Sequence, residues 1–525
     1  MKKGLKRLLS GMLLGVMLIG TMLAPTMTAD AANETLLNTY GKTFGYSGTC
    51  INLSQLRNAN TLAHVKSQYN SITLENEMKP DAMLGYSPSL FTREDAKKAG
   101  YYVPDRMTET YVPKINFSTV DEVLKICKAN GLKMRAHTLV WHSQTPDWFF
   151  RVGYSTNYGY VSADQMDARM EYYIKSVMNH VYSGQYADVV YCWDVVNEYQ
   201  HAQNSGWLKI YGNVTNYPSF VKKAFQYAHD TLKYFGKENT VSLFYNDFNT
   251  YIEQDDIVTM VNYINSNGKI CDGVGMQSHL GTTYPSVDYY IGAMKKFLNA
   301  GFEVQITELD VTNKNNTDQA NYIYDLMKQV VTLKKNGAKI TGVTIWGLSD
   351  DVTWIKGETP LLFSTLGNPK YAYYRMLDAY KDVMGSGSSS SGNTSSGNTS
   401  TASGNTIQCE NMTLSGTYAG KISSPFSGAV LYANNDTCSF EKYFAYDTHS
   451  FSLRACSNND KMAQVDLYIN GEKKGTFYYG GSYPAVFTLD NIKHDTGVVK
   501  IELKCTSDNG TWDAYLDYLE IGNNF

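Results

Sequence analysis

Between residues 44 and 350 short apolar runs that end in polar residues alternate with longer segments of helical period. The runs are FGYSGT from residue 44, SITLENE from 71, KMRAHTLVW from 133 and YCWDVVNE from 191. They continue with VSLFYND from 241, GVGMQSH from 273, VQITELD from 304 and GVTIWGLSD from 342. Helical stretches fall between them, among them residues 121–130, 167–181 and 217–235. Eight strands, each followed by a helix, predict an α/β fold of the closed parallel (β/α)8 kind, a TIM barrel. An open doubly wound sheet is the alternative, but no glycine-rich phosphate loop follows the first strand.

The pattern changes twice more. Residues 385–406 carry the repeated SGNT, with no apolar residue beyond Ala402. Such a segment buries too little surface to offset its ordering entropy and is expected to be a flexible linker. Residues 407–525 return as short alternating stretches, SFSLRA, QVDLYING, AVFTLD and VVKIELKC. They predict an all-β jelly-roll sandwich. At the other end Lys2, Lys3, Lys6 and Arg7 precede an apolar run to about Leu23, and Ala29-Asp30-Ala31 supplies small residues for cleavage. This is the pattern of a signal peptide over residues 1–31, which leaves 32–384 for the barrel and predicts a secreted, extracellular protein with no membrane association after cleavage.

Composition narrows the partners. A net charge of -4 and a pI near 6.2 offer nothing to nucleic acid. Aromatics make up 13% of the chain, with 42 tyrosines, which suits surfaces that stack on sugar rings. Cys50, Cys127, Cys192 and Cys271 are scattered without zinc-ligand spacing, and buried free thiols are expected for Cys192 and Cys271. Cys409, Cys438, Cys456 and Cys505 are candidates for disulfides of unassigned pairing.

In a parallel barrel all strand C-termini line one bowl. Here that bowl would hold Glu75, Asn76, Lys79, His137, Trp141 and Gln144. Asn197, Glu198, Asn246, Asp247, Gln277, His279, Glu308, Asp310, Trp346 and Trp354 would join them. Any one of these is ordinarily a solvated loop start. As a set, carboxylates, amides and indoles without a phosphate or metal signature suit glycoside cleavage. That reaction needs one carboxyl to protonate the leaving oxygen and another to meet the oxocarbenium-like centre. Glu198 and Glu308 are the natural pair, since each ends a strand.

The motifs SITLENEMKPD, RAHTLVWHSQTPDW, WDVVNE, LFYND, GMQSHL, ITELDV and TIWGLSD, in this order, resemble glycoside hydrolase family 10, the endo-xylanases, over residues 36–383. The resemblance implies that Glu198 is the acid/base and Glu308 the nucleophile of a retaining mechanism, without a catalytic cofactor. It implies that His279 and Asp310 orient Glu308 and that Asn197 meets the sugar 2-hydroxyl. Glu75, Asn76, Lys79, His137, Trp141 and Gln144 would bind the glycone, with Trp346 and Trp354 closing over it and Gln277 a further substrate-binding residue. A retaining pair is expected about 5–5.5 Å apart. Residues 86–117 lengthen the connection after the second strand beyond the usual family form, as a lid over the bowl or a surface insertion.

In the small module, SDNGTWDAYLDYLE places Asp508, Asn509 and Asp513 in one tight loop of hard oxygen ligands, which calcium prefers. A hairpin turn at Asn509-Gly510 is the simpler explanation. GTYAGKI, LYAN and SDNGTWDAYLDYLE together resemble the family 36 carbohydrate-binding modules. That likeness implies a calcium ion on Asp508, Asp513 and the Trp512 carbonyl that also touches sugar, with Tyr418 as a stacking platform. It implies a second, structural calcium on Glu410 and Asp517, although Gln408 stands where an acid is usual. The expected whole is a secreted, monomeric endo-β-1,4-xylanase acting on xylan and xylo-oligosaccharides, with a calcium-dependent xylan-binding domain. A broader β-1,4-glycanase and a catalytically inactive xylan-binding protein are the alternatives.

Overall fold

The computed structural model describes residues 35–384, 406–444 and 447–523. The expected signal segment lies outside these residues, as does the linker apart from Thr406. Among the described residues no helix is long and apolar enough to cross a membrane.

The eight expected strands are all present. They are β1 (Tyr46–Ile51), β2 (Ser71–Leu74), β3 (Lys133–Trp141), β4 (Val190–Asn197), β5 (Ser242–Asp247), β6 (Gly273–Met276), β7 (Glu303–Thr312) and β8 (Ile340–Ile345). Each pairs in parallel with the next, and β8 pairs with β1, which closes the barrel. Eight helices follow them in turn: α1 (Ala59–Gln68), α2 (Ser118–Asn130), α3 (Ala163–Ser183), α4 (Ser219–Tyr234), α5 (Gln254–Ile264), α6 (Val287–Asn299), α7 (Asn316–Lys335) and α8 (Tyr371–Met384). Several start on a side-chain cap. Asn58, Ser162, Ser286 and Asn315 each accept a bond from an otherwise unpaired first-turn N–H. The strands are buried on both faces, which is why they are nearly continuous in apolar residues rather than alternating.

A ninth strand, His279–Gly281, was not expected. It runs parallel to the end of β7 and sets His279 beside Asp310. The lengthened connection after β2 contains a small hairpin, Leu90–Thr92 with Tyr111–Pro113. It is fastened to α3: Arg106 bonds Glu171 at 2.7 Å, Tyr102 bonds Glu171 at 3.1 Å and the Tyr172 hydroxyl donates to the Pro113 carbonyl at 2.6 Å. Glu109 pairs with the buried Arg169 of the same helix. None of its residues lines the bowl, so the segment is a surface insertion braced on the outer helical ring.

The C-terminal module has its own apolar core. It is built from two antiparallel sheets, as expected. One holds the strands Gly420–Ile422, Gly428–Leu431, Ala514–Asn523, Thr448–Ser457 and Ala485–Lys493, with Thr406–Gln408 beside it. The other holds Thr413–Ser415, Thr437–Phe444, Gly497–Lys504, Ala463–Ile469 and Glu472–Tyr479. All eight cysteines are buried free thiols, so the four in this module form no disulfide.

Candidate active site

The bowl at the C-terminal ends of the strands is a cavity of about 470 Å³. Glu75, Asn76, Lys79, His137, Trp141, Gln144, Asn197, Glu198, Gln277, His279, Glu308, Trp346 and Trp354 all line it. Phe248 and Asn249, which sequence reasoning missed, complete the wall. They directly follow the Asn246-Asp247 pair at the end of β5, and that adjacency was the available signal.

The two glutamates are held differently. Glu198 follows β4 with φ 57° and ψ 40°, the left-handed region. For a residue with a side chain this costs roughly 1–3 kcal/mol and persists only where the surroundings enforce it. The Glu198 N–H donates to the Asn246 carbonyl at 2.9 Å. Its carboxyl accepts from the Trp141 indole at 2.7 Å and from the Gln277 amide at 2.8 Å. Glu308 lies within β7 and is buried. It accepts from the Asn246 amide at 2.8 Å and meets His279 Nε2 at 3.2 Å. Burial alone would raise its pKa. The His279 bond, the charges of His137 and His279 and the Asn246 bond outweigh burial and bring it to about 2.

His279 is the hinge of this arrangement. Its Nδ1 meets Asp310 at 2.9 Å, and Asp310 also accepts from the Trp354 indole at 2.9 Å. Burial pushes the imidazole down, but Asp310 and Glu308 together raise it to about 10, so it is cationic at neutral pH. Asn246 connects the two centres, because its amide also meets that of Asn197 at 2.9 Å. The room for Asn246 comes from Gly275 of β6: a Cβ there would fall 2.3 Å from the Asn246 oxygen. Thr307 donates to that oxygen at 2.7 Å and sets the amide's orientation.

The remaining wall is ordered by polar bonds. Lys79 donates to Asn76 at 3.2 Å and stands 4.7 Å over the Trp141 ring. The Gln144 amide reaches Asn76 at 3.3 Å. Burial raises the Glu75 carboxyl, Lys79 opposes that rise and Glu77 adds to it. His137 is anchored from below by Asp194 at 3.0 Å, and Asp194 pairs with the buried Arg135. Trp346 packs edge-on against His137 and is 6% exposed, whereas Trp354 is 51% exposed and forms a rim. Of the residues foreseen for this bowl, Asn246, Asp247 and Asp310 stand behind the wall rather than in it, all three buried.

In the module, the Asn509-Gly510 turn does not join a hairpin. The strands on either side, Gly497–Lys504 and Ala514–Asn523, belong to different sheets, and the loop crosses between them. Asn434 brackets Asp508 through its main chain, at 2.7 and 2.8 Å. Asn458 donates to the Asp513 carboxylate at 2.5 Å and accepts from the Asp513 N–H at 3.0 Å. Burial and then the Asp508 charge raise the Asp513 carboxyl, and among the described residues neither carboxylate has an ion-pair partner. The Trp512 side chain is in the core, which leaves its carbonyl in the loop. These hard oxygens fit calcium. Tyr418 is 62% exposed, and the buried Asp436 accepts from its N–H and from those of Tyr432 and Ala433.

The other ion foreseen in the module fits poorly. Asp517 is neutralised by the Arg454 guanidinium and Gln408 is exposed. Glu410 keeps one buried oxygen without a hydrogen-bond partner, but a single carboxylate falls well short of the six to eight oxygens calcium takes.

Comparisons agree with this geometry. A family model described as glycosyl hydrolase family 10 matches residues 35–379. An endo-1,4-beta-xylanase A of Butyrivibrio fibrisolvens is 52% identical over 362 residues, 69% of this chain and 88% of its own length. A bifunctional endo-1,4-beta-xylanase of Ruminococcus flavefaciens is 40% identical over 66% of this chain, which spans 34% of that protein. Among solved structures, the CBM22-1–GH10 modules of a Clostridium thermocellum endo-1,4-beta-D-xylanase, complexed with xylohexaose, match with 30% identity and a TM-score of 0.57 over 68% of each chain. A CBM36-1 domain of a multidomain xylanase from a Trinervitermes trinervoides hindgut metagenome is 58% identical over 23% of this chain and 97% of its own, with a TM-score of 0.23.

Proposed function

Because the chain belongs to glycosyl hydrolase family 10, we propose that it hydrolyses internal β-1,4-xylosidic bonds of xylan with retention of configuration. The observation that carries the reading is the bridge between two unlike carboxyls. Asn246 bonds Glu308 and meets Asn197, and Gln277 reaches both Asn197 and Glu198. Glu308, ionised and buried, attacks C1 of the sugar while Glu198 gives its proton to the leaving glycosidic oxygen. The C1–O bond breaks and a glycosyl ester forms on Glu308. Glu198 then takes a proton from water, the water oxygen attacks C1, and the sugar leaves with its original configuration. The buried Trp346 gives the preference for xylose, since a ring edge packed against the glycone excludes a C6 hydroxymethyl group.

The module binds xylan through a calcium ion held by Asp508, Asp513 and the Trp512 carbonyl, with Tyr418 beneath a sugar ring. When bound, the ion supplies coordination to sugar hydroxyls; the chain's own part is to hold the two carboxylates with Asn434 and Asn458. The protein is a secreted monomer on this reading. Reducing ends released from xylan, with the anomer of the first product followed by NMR, test the catalytic half. Release from soluble cellulose derivatives at an equal rate would replace it with a broader β-1,4-glycanase, and no release with an inactive xylan-binding protein.

A further inference from the structure

Directly after Glu198 the chain makes a single tight turn, Tyr199–His201, in which the His201 N–H donates to the Glu198 carbonyl at 3.1 Å. The imidazole of His201 is clamped between two carboxylates that no proposed catalytic step uses. Its Nδ1 meets Asp247 at 2.9 Å and its Nε2 meets Glu253 at 3.3 Å. One face of the ring lies on Phe248, with centroids 3.8 Å apart. Asp247 is fully buried at the end of β5 and also accepts from the Phe248 N–H and the Tyr245 hydroxyl. The same hydroxyl accepts from the Gln200 N–H at 3.2 Å, so the turn is fastened to β5 at two points.

We infer that His201 is a positioning residue for Glu198: it locks the turn that enforces the left-handed backbone of the acid/base and offsets the two carboxylates behind it. The inference rests on the assignment of Glu198 as the acid/base. The charges are near enough to matter. Asp247 is raised to about 6, by burial first and with a contribution from the Glu198 charge, against the opposing pull of His201. His142, on the loop after β3, is lowered by burial first, and it feels Glu198 and His201 with opposite signs. His201 itself is raised to about 10: burial lowers it, and its bonds to Asp247 and Glu253 overcome that. A cation near Glu198 favours its ionised form, and an uncompensated carboxylate favours its protonated form. Two substitutions should therefore act with opposite sign. His201→Gln leaves Asp247 and Glu253 unbalanced and raises the pH of the alkaline limb of kcat/KM, whereas Glu253→Gln removes one of the two negative charges, leaves His201 matched by Asp247 alone, and lowers it. Shifts of ~0.5–1 pH unit are the size expected of one partly solvated charge.

The test compares pH profiles of the wild-type protein, His201→Gln and Glu253→Gln on phenyl and 2,4-dinitrophenyl xylobiosides, with Glu198→Ala alongside. Expected are limbs displaced in opposite directions. A loss of about tenfold is expected for His201→Gln on the phenyl substrate, which needs the acid, and little on the dinitrophenyl one, which does not. Equal losses on both substrates with unmoved limbs would overturn the inference and leave His201 a structural residue. If His201→Gln does not fold, Glu253→Gln decides alone, and an unmoved limb overturns the inference. Failure of the underlying assignment is seen separately, as a Glu198→Ala enzyme that loses the same factor on both substrates.

Discussion

The bowl of the barrel and the crossing loop of the module each gather carboxylates, but they complete them differently. In the bowl every essential carboxyl has a protein partner: Trp141 and Gln277 for Glu198, Asn246 and His279 for Glu308, Trp354 and His279 for Asp310. In the loop, Asp508 and Asp513 are bracketed by Asn434 and Asn458, and among the described residues neither has an ion-pair partner. The first is preorganised by the fold, so its charges are in place before substrate arrives. On the proposed reading the second is a cradle for an ion drawn from solution. One centre should therefore tolerate changes of solution that abolish the other.

The largest test of that contrast is loss of the nucleophile. Glu308→Ala should lower kcat on xylan by on the order of 10⁴-fold or more, while retention on insoluble xylan stays unchanged. Azide should then rescue an aryl xylobioside as the glycosyl azide of inverted configuration. A rescued product of retained configuration would exclude Glu308 as nucleophile. The reverse experiment uses a chelator. With calcium removed, retention on insoluble xylan should fall at least about tenfold, whereas kcat on a soluble xylobioside should not move. Unchanged retention in the chelator would defeat the cradle.

The contrast also marks what could be read in advance. All eight barrel strands were legible, because burial on both faces leaves an apolar run whose polar end marks the rim. Glu308 and Glu198 stood out for the same reason, as carboxylates at the ends of such runs. His279 beside Asp310 was legible only through resemblance. Their contact depends on a three-residue strand pairing across 31 positions, and no local pattern encodes it. The role of Gly275 was hidden in a similar way, since its value is the space it leaves for Asn246 on the neighbouring strand. The insertion could not be placed beforehand because Arg106 and Glu109 are ordinary surface charges until α3 supplies Glu171 and Arg169. In the module, strands were legible from alternation, but which sheet each joined was not, and so the crossing loop looked like a hairpin turn.

A further test bears on the preorganised half and is read in the pH dependence of stability. His279 is raised in the folded protein, so its contribution is complete below its unfolded value, near 6.5, and is lost as the pH rises through about 10. Glu308 is lowered, so its contribution is present above the ordinary glutamate range and is lost as the pH falls toward about 2. These are two views of one ion pair and do not add. His279→Asn should remove the part of the alkaline fall in melting temperature, between pH 7 and 10, that this pair contributes. It should also move the acid limb of kcat/KM upward, since Glu308 loses the partner that keeps it ionised. A variant that melts with the wild-type pH slope would show that the pair does not carry this dependence.

The smallest expected effect lies at Tyr418, and it separates stacking from ion binding within the module. Its ring is largely exposed, while its backbone N–H is tied to Asp436, so truncation to Ala removes the platform and leaves the loop anchored. An aromatic face under a sugar ring contributes on the order of 1 kcal/mol, which corresponds to about a fivefold loss of xylan affinity. Calcium affinity, measured by titration without sugar, should stay the same, because Asp508 and Asp513 are held from Asn434 and Asn458 and not from Tyr418. A loss of calcium binding in Tyr418→Ala would mean that the ring props the cradle, and the module's two contacts with sugar would then be one.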